Sequence, residues 1–196
     1  MFSKARLDTL SDSIFGVAMT LLALDVRLPD DFHPRDAHQL LDGIANLWPK
    51  FFPYVLSFAV LGLRWLSNAQ MRSRADDVPQ EYVRWCLLYL MLITFVPFTT
   101  TVVGRFAHFA PAIWLYAGHT LLIALISWRM ITVTPHLEPG DQLRDRQVWT
   151  AMLIAASSVL AILVSFFNPP QSLWAFALTS LAPFSGSWDK QQATAD

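Results

Sequence analysis

The chain has 196 residues, of which 54% are hydrophobic and only 15% charged, with a formal net charge of −1 and a positive mean hydropathy. A soluble core of this size has no use for so much apolar side chain, and a near-neutral chain without a basic patch gives no footprint for nucleic acid. The lone Cys86 excludes both an intrachain disulfide framework and a cysteine metal site.

The apolar residues gather into about six stretches, each close to the roughly 20 residues that cross a hydrocarbon core of about 30 Å. The pattern therefore predicts an all-α membrane protein with six transmembrane helices in a single domain spanning residues 1–196. Helix one is expected over residues 10–28, ended by Pro29 and the acidic pair Asp30-Asp31. It carries Asp12 at its start and lacks a small-x-small cleavage site, so it reads as a retained span rather than a signal peptide. Residues 37–47 form an amphipathic lead-in suited to the membrane interface, and helix two follows over 48–70, with Pro49 and Pro53 near its start. Helices three and four are expected over 83–104 and 110–133. A polar linker, 134–146, leads to helix five over 147–167, and the Asn168-Pro169-Pro170 turn leads to helix six over 173–188, kinked or shortened by Pro183. Trp48, Trp85, Trp114, Trp149 and Trp174 fall near helix starts, where aromatic belts meet the lipid surface.

An even number of spans puts both termini on one side. That side collects Lys4, Arg6, Arg64, Arg72, Arg74, Arg84, Arg129, Arg144, Arg146 and Lys190, against Arg27, Arg35, Lys50 and Arg105 on the other. The positive-inside rule makes the richer side cytoplasmic. No internal repeat is visible, so a central pore would need several chains.

Ser11 and Asp12 precede an apolar run, where either side chain serves as a helix N-cap and suits the positive end of the helix dipole. Arg6 lies six positions earlier, and an Arg6–Asp12 pair would tie the helix to its neighbours, because intramembrane charges are costly unless paired. Val17, Leu21 and Leu24 recur at steps of four and three, with Ser13 and Thr20 on nearly the same face. Such a stripe more often packs in a core or against lipid than lines a pore. Asp25, one turn beyond Leu21, either places carboxylates at an outer mouth or pairs with Arg27 or Lys50. Arg64 and Arg129 lie near helix ends and can snorkel. His119, midway along helix four, reads as a hydrogen-bonding partner of a neighbouring helix.

The pattern Arg6-x-x-x-Leu10-Ser11-Asp12, followed by Ala18-x-Thr20-Leu21-Leu22-x-Leu24 and Pro29, resembles the first-helix signature of the endolysosomal potassium channel family, transmembrane protein 175 type, and its bacterial relatives. Leu92 and the Pro97-Phe98-x-Thr100 ending of helix three are similar to that family as well. The resemblance covers most of the chain in layout, while the specific motif is confined to helix one. It implies a homotetrameric, potassium-favouring channel for monovalent cations in the cell membrane, with helix one of each subunit around the axis and no cofactor beyond the permeant potassium ion. Carried over by position, Val17, Leu21 and Leu24 would form narrow apolar rings that gate by dewetting, with Thr20 beside the constriction. Arg6, Ser11 and Asp12 would hold the pore helix at its cytoplasmic end.

The chain departs from the family pattern in three places. Leu10 stands where a Phe usually precedes Ser-Asp, Val17 replaces a longer Ile, and Trp65-Leu66-Ser67 leads to Asn68 where the family commonly has His. Asn keeps the hydrogen bonding and loses the titration. The run Thr101-Val102-Val103-Gly104 superficially suggests a carbonyl selectivity filter, but it continues an unbroken span, with Gly104 read as a helix C-cap. The five histidines show no metal-ligand spacing, and there is no phosphate loop or nucleophile elbow, so an enzyme is not expected. The rival reading is an ion-coupled or proton-coupled transporter exchanging through Asp25, His119 and Arg64; such proteins tend to show interrupted helices in two halves, which are not visible here.

Overall fold

The computed structural model describes residues 2–71, 77–133 and 142–176. Within them the protein is helical apart from one short backbone pairing. Strand β1 (Phe2–Ser3) leads directly into α1 (Lys4–Leu22), which tightens into a 3₁₀ turn over Ala23–Asp25. An irregular segment then reaches α2 (Ala37–Ala45) and α3 (Trp48–Met71). Strand β2 (Asp77–Val78) precedes α4 (Gln80–Phe106), followed by α5 (Ala110–Thr132), α6 (Gln142–Ser165) and the short α7 (Pro169–Ser172). The two strands pair antiparallel, Phe2 with Val78 and Ser3 with Asp77, and so fasten the start of α1 to the start of α4.

Among the described residues, four helices are long and apolar enough to cross a membrane: those within Ala5–Asp25, Gln80–Phe106, Ala110–Thr132 and Gln147–Ser165. The pair α2 and α3, bent by 46° where they meet, counts as a fifth if taken as one broken span. This is a membrane protein built from apolar helices. The expected sixth helix falls largely on residues 177–188, outside the described residues together with Pro183.

Helix one differs from its expected bounds at both ends. It begins at Lys4 because Leu7 continues the buried stripe Leu7, Ser11, Phe15, Ala18, Leu22 by one more turn. Ser11 and Asp12 consequently sit inside the helix rather than at its cap, and the Ser11 hydroxyl donates to the Leu7 carbonyl at 2.9 Å. Regular helix stops at Leu22, short of the expected residue 28. Helix α6 likewise starts at Gln142, inside the expected linker, and Gly104 lies within α4 rather than capping it.

Helix α4 is the centre of the packing. Helices α1, α3 and α5 all lie against it, and α6 packs on α5. One apolar core joins Phe15, Ala18 and Leu22 of α1 to Leu61 of α3, Tyr89, Leu90 and Ile93 of α4 and Ile123 of α5. A second joins Leu56, Val103, Ile113 and Tyr116 to Leu173 and Phe176. In lipid, where the hydrocarbon around the helices is as apolar as their side chains, such interdigitation and interhelical hydrogen bonds hold the bundle together.

Pro97 lies inside α4, where it can offer no N–H to the preceding turn. Side chains bond the backbone on either side of it. His119 Nε2 lies 3.1 Å from the Leu92 carbonyl and its Nδ1 3.3 Å from the Thr99 hydroxyl. Thr100 lies 2.9 Å from the Val96 carbonyl and 2.8 Å from the Ser57 hydroxyl, which in turn lies 3.1 Å from the Tyr116 hydroxyl. The expected role of His119, a hydrogen bond to a neighbouring helix, is thus the contact it makes with α4.

Candidate functional site

Helix α1 packs with one face only. Phe15, Ala18 and Leu22 are at most 2% exposed, whereas Val17, Leu21 and Leu24 are 58%, 42% and 67% exposed. Steps of three and four place Leu10, Ser13, Val17, Thr20, Leu21 and Leu24 on the face turned away from α3 and α4. Gly16 lies there too, with open space where a Cβ would stand. Ser13, Gly16 and Thr20, residues small or polar enough to let another helix approach, stand among the apolar residues of this face. The Thr20 hydroxyl donates to the Val17 carbonyl at 2.8 Å, and Ser13 does the same to Thr9 at 2.9 Å. Each hydroxyl is thereby satisfied within its own helix and still presents oxygen lone pairs outward.

Three contacts fix where this face points. The β1–β2 pairing holds its beginning. Near its middle, the Trp65 indole N–H of α3 donates to Asp12 Oδ1 at 2.7 Å. At its end Asp25 accepts from Arg105 of α4, at 3.2 Å from Nε and 2.7 Å from Nη2. Sequence reasoning placed Asp12 with Arg6; the structure gives it the Trp65 indole, and Arg6 is exposed on the single chain. The Trp65 role carries no periodic signal, since it depends on which turn of α3 crosses α1.

The options for Asp25 are settled differently from both expectations of a local pair. Arg27 bridges Asp30 at 3.3 Å, and the Lys50 ammonium donates to the Arg27 carbonyl at 3.1 Å. Asp25, only 15% exposed in its side chain, is held by Arg105 from a helix 80 residues away. Gly104, the residue before that arginine, lies beside it: a Cβ there would meet Asp25 Oδ2 at 3.7 Å, an ordinary contact. The carboxylate is therefore charge-compensated on the single chain.

Arg64 does not snorkel. It is 6% exposed, and its Nη2 lies 3.4 Å from the Thr120 carbonyl of α5. Asn68, one turn later on α3, lies within hydrogen-bonding reach of the Tyr89 phenol, which also faces Arg64 and Ser127. Arg129 behaves otherwise: it is half-exposed, bridges Glu81 at 2.8 Å and lies 5.9 Å from the Trp85 ring centre. Among the described residues no group of three or more His, Cys, Asp or Glu side chains is placed to hold a metal ion.

The comparisons with known proteins agree with one another. The family model described as "Endosomal/lysosomal potassium channel TMEM175" matches residues 6–97, from the start of α1 to the proline of α4. A potassium channel of Chamaesiphon minutus is 29% identical over 183 residues, 90% of this chain and 84% of that protein. A potassium channel of Streptomyces collinus is 27% identical over 191 residues, 92% of this chain and 91% of that one. The crystal structure of a lysosomal potassium-selective channel TMEM175 homolog from Chamaesiphon minutus has the same fold, with a TM-score of 0.79 at 24% identity over 93% of this chain and 98% of that one. From the matched first helix to the shared fold, the chain is similar to TMEM175-type potassium channels over nearly its whole length.

Proposed function

We propose that the protein is a homotetrameric channel for monovalent cations, potassium above sodium, whose pore is lined by the outward face of α1 from each subunit. The observation that carries this reading is the division of α1 into a buried face, Phe15, Ala18 and Leu22, and an uncovered face, Val17, Thr20, Leu21 and Leu24. Around a symmetry axis, Val17, Leu21 and Leu24 become apolar rings. A constriction of that kind offers water and ions nothing to bond, so it closes by dewetting. Thr20 adds a ring of hydroxyl oxygens between Val17 and Leu24. Partial dehydration at this narrow point penalises sodium, the more strongly hydrated ion, more than potassium.

Arg6, Ser11, Asp12 and Asn68 belong to the half of the bundle that supports the pore helix, with Asp12 acting through Trp65. By the count of basic residues this half faces the cytoplasm, as do both termini, and Asp25 with Arg105 stands at the outer mouth. The partners are the lipid bilayer, three further copies of the chain and the permeant cations. No cofactor is required. The alternative, an ion-coupled or proton-coupled transporter, has less support: Asp25 is held by Arg105 and His119 serves the backbone near Pro97.

The test is potassium flux into liposomes holding the purified protein, with sodium as competitor, for the wild type and for Leu21→Asn. Rapid passive potassium flux, raised and less selective in the variant, supports the reading. Unchanged flux and ion preference in Leu21→Asn remove α1 from the pore, and slow saturable uptake that needs a second ion points to a carrier.

A further inference from the structure

Between α3, α4, α5 and α6 lies a partly open cavity of about 40 Å³ lined by Arg64, Asn68, Tyr89, Ser127, Gln147 and Thr150. Polar linings inside a membrane bundle are costly and need partners. Arg64 is the most costly of these groups. A guanidinium stays protonated under all ordinary conditions, and this one is buried at 6% exposure, yet it forms no ion pair with a carboxylate of the described residues. The groups that face it are neutral: the Thr120 carbonyl at 3.4 Å and the phenols of Tyr89 and Tyr116.

A second, independent feature lies across the same cavity. Gln147 is 7% exposed, and its Nε2 donates to the Ser67 carbonyl at 3.1 Å. Its Oε1 is buried and has no hydrogen-bond partner. Leaving such an acceptor bare costs about 1–3 kcal/mol, and leaving a buried charge uncompensated costs more. The cavity has room for what would relieve both. A single water needs roughly 10–15 Å³, so 40 Å³ accommodates one small ion with a water beside it.

We infer that this cavity is a binding site for one halide-sized monovalent anion, held by the Arg64 guanidinium and bridged through a water to Gln147 Oε1. The Arg64 charge selects an anion, and the Asn68 amide and the hydroxyls of Tyr89 and Ser127 can each turn a donor toward it. The site lies behind the pore helix, on the far side of α4 from the outward face of α1, and does not depend on which residues line the pore. Its occupant is structural: it neutralises a charge that ties α3 to α5.

Two measurements on the full chain test it. In crystals grown with bromide replacing chloride, an anomalous peak is expected in the cavity beside Arg64; a fully ordered site containing only water overturns the proposal. The thermal unfolding midpoint of the detergent-purified protein, at fixed potassium, is expected to rise saturably as chloride or bromide replaces gluconate, and equal midpoints in all three anions overturn it. Gln147→Glu supplies a carboxylate of the same length as the native amide. It is expected to unfold in gluconate near the wild-type halide value and to lose the anion dependence, whereas an unchanged halide response in that variant removes Gln147 from the site. If the variant does not purify, the bromide density in the wild type decides.

Discussion

Trp65 of α3 and Asp12 of α1 meet through a 2.7 Å hydrogen bond from the indole N–H to the carboxylate, one of three contacts that hold α1 on the bundle. A hydrogen bond to a charged acceptor contributes about 1.5–3 kcal/mol. Trp65→Phe and Asp12→Ala should each lower the thermal midpoint of the purified protein and its potassium flux. The double variant should be little worse than Asp12→Ala alone, because that variant has already lost the indole bond. Additive losses would show that Asp12 and Trp65 act on α1 separately.

Arg105→Gln should release the Asp25 carboxylate while leaving the fold intact. The pair is part-exposed at Arg105, so its loss should cost no more than about 1 kcal/mol of stability. If Asp25 stands at the outer mouth, four uncompensated carboxylates would concentrate cations there, and single-channel conductance should rise at low ionic strength and converge with the wild type at high salt. Conductance equal to the wild type at every salt concentration would place Asp25 away from the ion path.

Thr20→Val keeps the shape of the side chain and removes its oxygen. The bond lost is local to α1, from the hydroxyl to the Val17 carbonyl, so the melting temperature should barely change. The reversal potential under potassium and sodium gradients should move if the hydroxyl faces the conduction path. An unshifted reversal potential would leave Thr20 outside it.

Helix α2 rests on the ring of Phe32, and a Cβ at Gly43 would run into that ring. Gly43→Val should therefore destabilise the α2 region by about 1–3 kcal/mol, the range for overpacking. Adding Phe32→Ala should restore much of the loss, read as protection of α2 amides from hydrogen exchange. Failure of that second change to rescue would mean that Gly43 matters for its backbone and not for the space it leaves.

His119→Leu should remove the side-chain bond to the Leu92 carbonyl beside the Pro97 turn, at a cost of about 0.5–1.5 kcal/mol, and His119→Gln should recover part of it. Both are read by thermal unfolding. Equal stability of all three proteins would mean that α4 satisfies this turn without α5.

The helical layout was readable because it rests on short-range rhythm. The stripe Val17, Leu21, Leu24 follows from 3.6 residues per turn and needs no knowledge of partners, whereas the burial of the opposite face, Phe15, Ala18 and Leu22, appears only in the packing. The end points were less readable: Ser11 resembles a cap from its type alone, and only the burial of Leu7 one turn earlier shows that the helix has already begun. The pairings were not readable. Asp12 with Trp65, Asp25 with Arg105 and Arg64 with Thr120 join residues 53, 80 and 56 positions apart. Each depends on the depth and rotation at which two helices cross, which hydropathy does not encode. Arg64 illustrates the limit: near a helix end, a long cation reaches water or is enclosed according to what α5 and α6 place over it.

The staples along α1 also restrict how it can move. Its start is paired to the strand before α4, its middle is bonded to α3, and its end is clamped by Arg105 at the far end of α4, so α1 and α4 run in the same direction and are fastened at both ends. A piston stroke of one helical turn, 5.4 Å, would have to break the strand pairing, the indole bond and the ion pair together. A twist about the helix axis, or a bow outward between the fastened ends, stretches them far less. A pore walled by such helices would change its bore the way an iris does, by turning its blades in place, and not the way a plunger clears a tube.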